Sequence, residues 1–206
     1  MKQRDAAWFE ARRGRVTASN VSKTMMPPTS QTYINYRSQI VLERLGVVTE
    51  DDYISPAMQW GIEVEPQARA AYALETGNTV TEQAFAHHPT LHAGASPDML
   101  IGKNGLVEIK CPNSSTHLET LNTGHIKKEY LAQITFQLLC TQRKFCDFVS
   151  FDPRLPAEMR LSIQRVELDE KLADKMSEAV TKFISEVDRL EDGLRKKYNF
   201  FEEKAA

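Results

Sequence analysis

The chain has 206 residues, enough for one domain with a substantial core, and no stretch approaches the ~20 consecutive apolar residues needed to cross a bilayer. A formal net charge of −2 weighs against a broadly basic nucleic-acid surface, so any phosphate contacts must gather in a local groove; Arg12, Arg13, Arg15 and Lys23, then Lys127-Lys128, then Arg195-Lys196-Lys197 are the basic clusters. Cys111, Cys140 and Cys146 lack the pairing of a zinc or disulfide motif and read as reduced structural thiols, which, with no apolar leader, predicts a soluble, unexported, cytoplasmic protein.

In chain order, residues 5–13 predict a helix, and Thr17-Ala18-Ser19-Asn20 offers capping side chains for a short second helix that Pro27-Pro28 must stop. Tyr33, Tyr36, Ile40, Val41 and Leu45 recur at helical spacing and predict a third helix over 32–45. A fourth runs from about 55 through 74 and ends near Gly77; Pro66 either kinks it or opens a new helix, leaving Glu65 at an irregular point. Strands are predicted at 79–85, 91–101 and 106–111, with His87-His88-Pro89 as a turn. A helix over 127–143, strands at 145–151 and 159–167, and a long helix from Asp169 follow. That last helix carries Leu172, Met176, Val180, Phe183, Ile184, Val187 and Leu190 as a stripe facing the core. The order predicts an α/β (α+β) fold with a central mixed β-sheet flanked by helices, in one domain spanning 1–206.

The candidate chemistry lies in Ser96-Pro97-Asp98 and Val107-Glu108-Ile109-Lys110-Cys111-Pro112. Between them, apolar runs flank Gly102-Lys103-Asn104-Gly105, a hairpin whose Asn-Gly favours positive φ, so Asp98 and Glu108 meet at its open end in a register that the residues leave open. Alternation places Glu108 and Lys110 on one face and Ile109 on the other. Two acids and the Ile109 backbone carbonyl form a hard oxygen set that suits Mg²⁺ or Mn²⁺, with Lys110 beside the site. The same residues also fit a Pro-Asp turn leading into a solvated strand of alternating Glu and Lys; composition leaves both readings open. Taken alone, Glu65 reads as a cap or ion pair and Gln133 equally as a surface amide. Arg12 and Arg13 point to different faces. His87, His88 and His92 lack partners at zinc spacing and read as turn and strand residues.

Pro97-Asp98 followed ten residues on by Glu108-Ile109-Lys110 resembles the PD-(D/E)xK nuclease core. Five ordered blocks narrow the resemblance: Trp8 to Ser19, Trp60-Gly61-Ile62-Glu63-Val64-Glu65, Glu108 to Pro112, Tyr130-Leu131-Ala132-Gln133 and Phe151-Asp152-Pro153-Arg154 are similar to the phage lambda exonuclease (YqaJ-like viral recombinase) family. This resemblance implies a restriction-endonuclease-like core and a 5′→3′ exonuclease on linear double-stranded DNA ends. The implied enzyme uses two Mg²⁺ per site, with Mn²⁺ as a substitute, and releases 5′-mononucleotides. It leaves 3′ single strands for annealing-type phage recombination. Its implied setting is a ring-shaped homotrimer beside a single-strand annealing protein, away from membranes, in the cytoplasm of a host carrying a phage or prophage.

By the same resemblance, Asp98, Glu108 and the Ile109 carbonyl bind metal, and Lys110 orients or deprotonates the attacking water. Glu65, through a water, and Gln133 support the second ion, while Arg12 and Ser19 hold the terminal 5′-phosphate. Met99 departs from the glycine common after the aspartate. The rival readings are a site-specific or structure-specific endonuclease of the same superfamily and a non-catalytic DNA-binding module.

Overall fold

Short polar side chains start most of the helices by accepting hydrogen bonds from N–H groups that lack a partner in the first turn. In the computed structural model, which describes residues 3–47 and 55–200, Asp5 opens α1 (Ala6–Arg12) in this way. The one-turn α2 (Val21–Thr24) has no side-chain cap. Ser30 opens α3 (Gln31–Arg44), Ser55 opens α4 (Pro56–Thr76) and Asn113 opens α5 (Ser114–Thr123). After the uncapped α6 (Lys128–Thr141), Asp169 opens α7 (Glu170–Lys197). Among the described residues no helix is long and apolar enough to cross a membrane.

Four helical expectations change. Thr17 caps nothing: Val16–Thr17 form strand β1, the Thr17 N–H donates to the Tyr36 hydroxyl, and Ala18–Asn20 make a 3₁₀ turn. Of the two outcomes expected at Pro66, no new helix starts there: α4 runs through it as one helix. Val64, Ala68 and Tyr72, four residues apart, pack on the sheet and carry the helix through the lost hydrogen bond to its end at Gly77, where φ is 63°. Glu65 therefore lies in a continuous helix. Helix α5 was absent from the expected order because the residues it buries, His117 and Thr120, are polar and give no apolar periodicity.

The strands are shorter than their apolar runs. The expected 79–85 segment pairs only as β2 (Val80–Thr81), and His87 belongs to β3 (Ala86–His87) instead of a turn. The 91–101 run divides into β4 (Ala93–Ala95) and β5 (Met99–Ile101), which join different sheets. Pro97 has no N–H for a ladder, and Ser96 Oγ accepts the Trp8 indole N–H at 2.8 Å, so the chain leaves one sheet there and enters the other. Strands β6 (Gly105–Lys110), β7 (Phe145–Phe151) and β8 (Leu161–Glu167) complete the set. The larger sheet has the order β2-β5-β6-β7-β8, parallel between β6 and β7 and antiparallel elsewhere; the smaller is β1-β4-β3.

Alternation sorts the large sheet's faces. Met99, Val107, Ile109, Val149 and Phe151 pack under α4, while Leu100, Leu106, Cys146 and Phe148 pack against Ile134 and Leu138 of α6. A third core joins α3, α6, α7 and the small sheet, with Tyr33 and Tyr36 ring centroids 5.0 and 5.2 Å from Phe183. The hairpin turn takes its positive φ at Gly102, not at Asn104-Gly105. Gly105 is needed for another reason: a Cβ there would lie 2.4 Å from the Phe145 ring.

Candidate active site

Strand β6 delivers Glu108 and Lys110 to the α6 side of the sheet. Lys110 Nζ donates to Glu108 Oε1 at 2.6 Å and to Gln133 Oε1 at 3.1 Å; Gln133 Nε2 donates to Glu108 Oε1 at 2.6 Å. Glu108 is 2% exposed, so its charge sits where water cannot solvate it. One turn further along α6, Gln137 Nε2 donates to the other oxygen, Oε2, at 2.6 Å. The Tyr130 ring lies 5.0 Å from Lys110 Nζ.

The hairpin register settles where Asp98 stands. Met99 pairs with Val107, and one step further places Asp98 opposite Glu108, just where β5 stops. The Asp98 N–H donates to the Val107 carbonyl at 3.1 Å, and its Oδ2 accepts the Ile109 N–H at 2.6 Å. Within a strand, a residue's N–H and C=O point to the same side, so the Ile109 carbonyl is directed past the end of β5 toward Asp98. Met99, at the family's glycine position, is buried under α4 and leaves this register undisturbed. Burial, then the Glu108 and Glu65 carboxylates, push the Asp98 carboxyl well above its ordinary range. At Lys110, burial pulls down, but Glu108 and Asp98 outweigh it and the ammonium's pKa is raised.

Glu65 reaches the same end of the sheet from α4, on the opposite face. Its Oε1 accepts from Arg69 Nε at 2.9 Å and Nη2 at 2.6 Å, one turn along the helix.

Arg12 and Ser19 form a second polar cluster. Arg12 Nη2 lies 3.5 Å from Ser19 Oγ, and its guanidinium sits 4.2 Å from the Trp8 ring centroid. Burial lowers the Arg12 pKa, with Tyr36 and Glu43 acting in the opposite direction. Thr17 Oγ1 is 3.4 Å from Ser19 Oγ and accepts from Asn20 Nδ2 at 3.3 Å. Trp8 bonds Ala84 O and Ser96 Oγ, which fixes α1 to the segment leading into Asp98. Among the described residues no hydrogen bond joins this cluster to the Glu108 cluster. Arg13 instead pairs with Glu10 at 2.9 Å near the surface. His88 Nδ1 accepts from the Thr90 and Leu91 N–H groups, and His92 Nδ1 lies 2.9 Å from Arg44.

Among the described residues no three His, Cys, Asp or Glu side chains form a metal cluster. Asp98, Glu108 and the Ile109 carbonyl are all hard oxygen donors in a buried, acid-rich pocket, which is the chemistry of a divalent-cation site. A cation there would offset the burial and the carboxylate repulsion that together raise the Asp98 pKa. Gln137 is the residue sequence reasoning passed over; its signal was an amide four residues after Gln133 inside the mostly apolar Ile134–Cys140 run, whose other polar member is Thr135.

The YqaJ-like viral recombinase domain family matches residues 7–144, which contain every residue of both clusters. The crystal structure of an alkaline exonuclease (LHK-Exo) from Laribacter hongkongensis is similar at a TM-score of 0.89 and 43% identity, over 95% of this chain and 98% of that one. The same figures hold for LHK-Exo in complex with dAMP. A phage related exonuclease from Haemophilus somnus 129PT shares the fold at 15% identity and a TM-score of 0.68, over 90% of this chain and 98% of that one. No curated protein matches the chain.

Proposed function

Because this chain belongs to the YqaJ-like viral recombinase family, we propose that it is a DNA exonuclease that digests the 5′ strand of linear duplex DNA from its ends, releasing 5′-mononucleotides and leaving 3′ single strands for annealing. What supports this reading is that Asp98 sits across from Glu108 at the edge of the β5–β6 pairing, with its Oδ2 on the Ile109 N–H, while Lys110 holds the Glu108 carboxylate. The likeness to LHK-Exo supports the nuclease class, and dAMP, which that protein binds, is the type of product such a reaction releases.

Asp98, Glu108 and the Ile109 carbonyl would hold Mg²⁺, or Mn²⁺ in its place, with Glu65 through a water and Gln133 serving a second ion. When bound, the pair supplies a nucleophile at neutral pH and neutralises charge on the phosphate and the departing oxygen. Lys110 Nζ, as an ammonium, orients the attacking water, and Gln133 fixes that ammonium. Water adds to phosphorus, the bond to the 3′-oxygen breaks, and that oxygen takes a proton. The remaining strand keeps the phosphate on its new 5′ end. Each cut thus regenerates the group that Arg12, with its planar fork, and Ser19 would hold. A cavity of about 640 Å³ lies beside α2 and α6, bordered by Ser22, Lys23, Met25, Met26, Leu131 and Ala132, and its lining includes no residue of either cluster. Assembly as a homotrimeric ring, a single-strand annealing protein as partner, and the cytoplasm of a phage-carrying bacterium complete the proposal.

The test is incubation with 5′-phosphorylated linear duplex, with and without EDTA, following mononucleotides and the surviving strand. The expected result is metal-dependent loss of the 5′ strand alone. Cleavage of closed circular duplex would establish an endonuclease instead, and metal-independent binding with no nucleotide released would establish a non-catalytic module.

A further inference from the structure

We infer that Gln137 is a positioning residue for the metal site: it locks one oxygen of Glu108 so that the other faces Lys110, Gln133 and the cation. The inference rests on the metal-dependent reading above.

Gln137 is fully buried, within a run of α6 whose other buried members include Ile134, Phe136, Leu138 and Cys140. An apolar side chain would suit such a position better. The amide also carries a penalty, since its Oε1 is buried and has no hydrogen-bond partner among the described residues. A buried acceptor without a donor forfeits its hydration with nothing in return. The other end of the amide accounts for the residue: Nε2 donates to Glu108 Oε2 at 2.6 Å. A carboxylate only accepts, so the amide cannot flip without losing this bond.

The three donors to Glu108 are unequal. Lys110 and Gln133 both bond Oε1 from partly exposed positions, with the Lys110 side chain 24% exposed. A cation approaching Oε1 repels the ammonium, and these two bonds are the ones free to rearrange. Gln137 approaches from inside the core, on the oxygen away from Lys110, and has no space to follow. It keeps the plane of the carboxylate fixed while its outer oxygen changes partners. Outer partners of this kind commonly change metal affinity by about 10–100-fold when removed.

The experiment titrates Mn²⁺ into the full-length protein by calorimetry, for wild type, Gln137→Met and Gln137→Asn. Methionine keeps the volume without the donor; asparagine keeps the amide but falls short of Glu108. The inference expects Mn²⁺ affinity to fall 10–100-fold in both. Far-UV circular dichroism and the melting midpoint in EDTA should stay near wild type, and DNA digestion should recover as Mn²⁺ is raised. Affinity within twofold of wild type in a folded variant overturns the positioning role alone. If Gln137→Met does not fold, Gln137→Asn decides by the same criterion, and failure of both to fold assigns the amide to structure. A wild-type protein that binds no Mn²⁺ overturns the metal reading and this inference together.

Discussion

Glu108 keeps two amide donors even when the lysine is removed, so substitution at Lys110 tests chemistry with little disturbance to folding. Lys110→Ala is expected to lower turnover on linear duplex by at least about 10²-fold with the circular dichroism spectrum unchanged, and full activity would remove Lys110 from the mechanism. Arg12 acts at the other cluster. Arg12→Ala should reduce the advantage of 5′-phosphorylated over 5′-hydroxyl ends by about tenfold, the scale of a charge-assisted hydrogen bond; equal loss on both ends would mark a folding role through Trp8. Asp152 carries a pH prediction for stability. Burial pushes its carboxyl up, but hydrogen bonds from Arg154, with Nε at 2.7 Å and Nη2 at 2.9 Å, and from Ser114 hold it down to about 2 from the usual 3.8. The folded state therefore favours the ionised form. This contribution is complete above the unfolded value of 3.8 and disappears as pH falls through about 2. Arg154→Ala should move the acid-unfolding midpoint, followed by tryptophan fluorescence, to higher pH.

Among the elements, the β5–β6 hairpin matters most, because its register sets Asp98 opposite Glu108. Arg143, just beyond α6, holds the turn by donating from Nη1 to the carbonyls of Ile101 at 3.3 Å, Gly102 at 2.9 Å and Gly105 at 2.7 Å. Arg143→Met leaves those acceptors without their charged donor. Urea denaturation should show a loss of about 1–3 kcal/mol, with activity falling because the hairpin loosens; unchanged stability would mean that the turn needs no outside anchor. Helix α7 serves a different layer. Its stripe buries Met176, Val180, Phe183 and Val187 against α3, α6 and α2, so its role is core packing.

For the whole molecule, a net charge of −2 means that DNA must be held by a confined set of cations, in contrast to a uniformly basic surface. The affinity for linear duplex should then fall linearly on a logarithmic salt axis, with a slope corresponding to only a few phosphates. A ring assembly predicts that light scattering returns three copies of the 23.4 kDa chain. A monomer at working concentration would remove the ring from the proposal while leaving the chemistry of each site intact.

Much of the chain announces its structure locally. The helical spacing of Tyr33, Tyr36, Ile40 and Val41 in α3, the stripe of α7 and the Pro97-Asp98 to Lys110 spacing are properties of neighbouring residues, and the expected helices, hairpin and mixed sheet follow from them. What local pattern could not supply was every choice made between distant segments. Pro66 stays inside α4 because the sheet holds the helix on both sides of it, and the 91–101 run divides because Trp8 anchors Ser96. Gln137 finds Glu108 from 29 residues away. Which side chains could do the chemistry was legible along the chain, because residue type and short-range spacing fix donor character and strand face. Which of them meet was settled by folding, because a buried carboxylate takes its partners from whatever the packing of helix on sheet brings within hydrogen-bond reach.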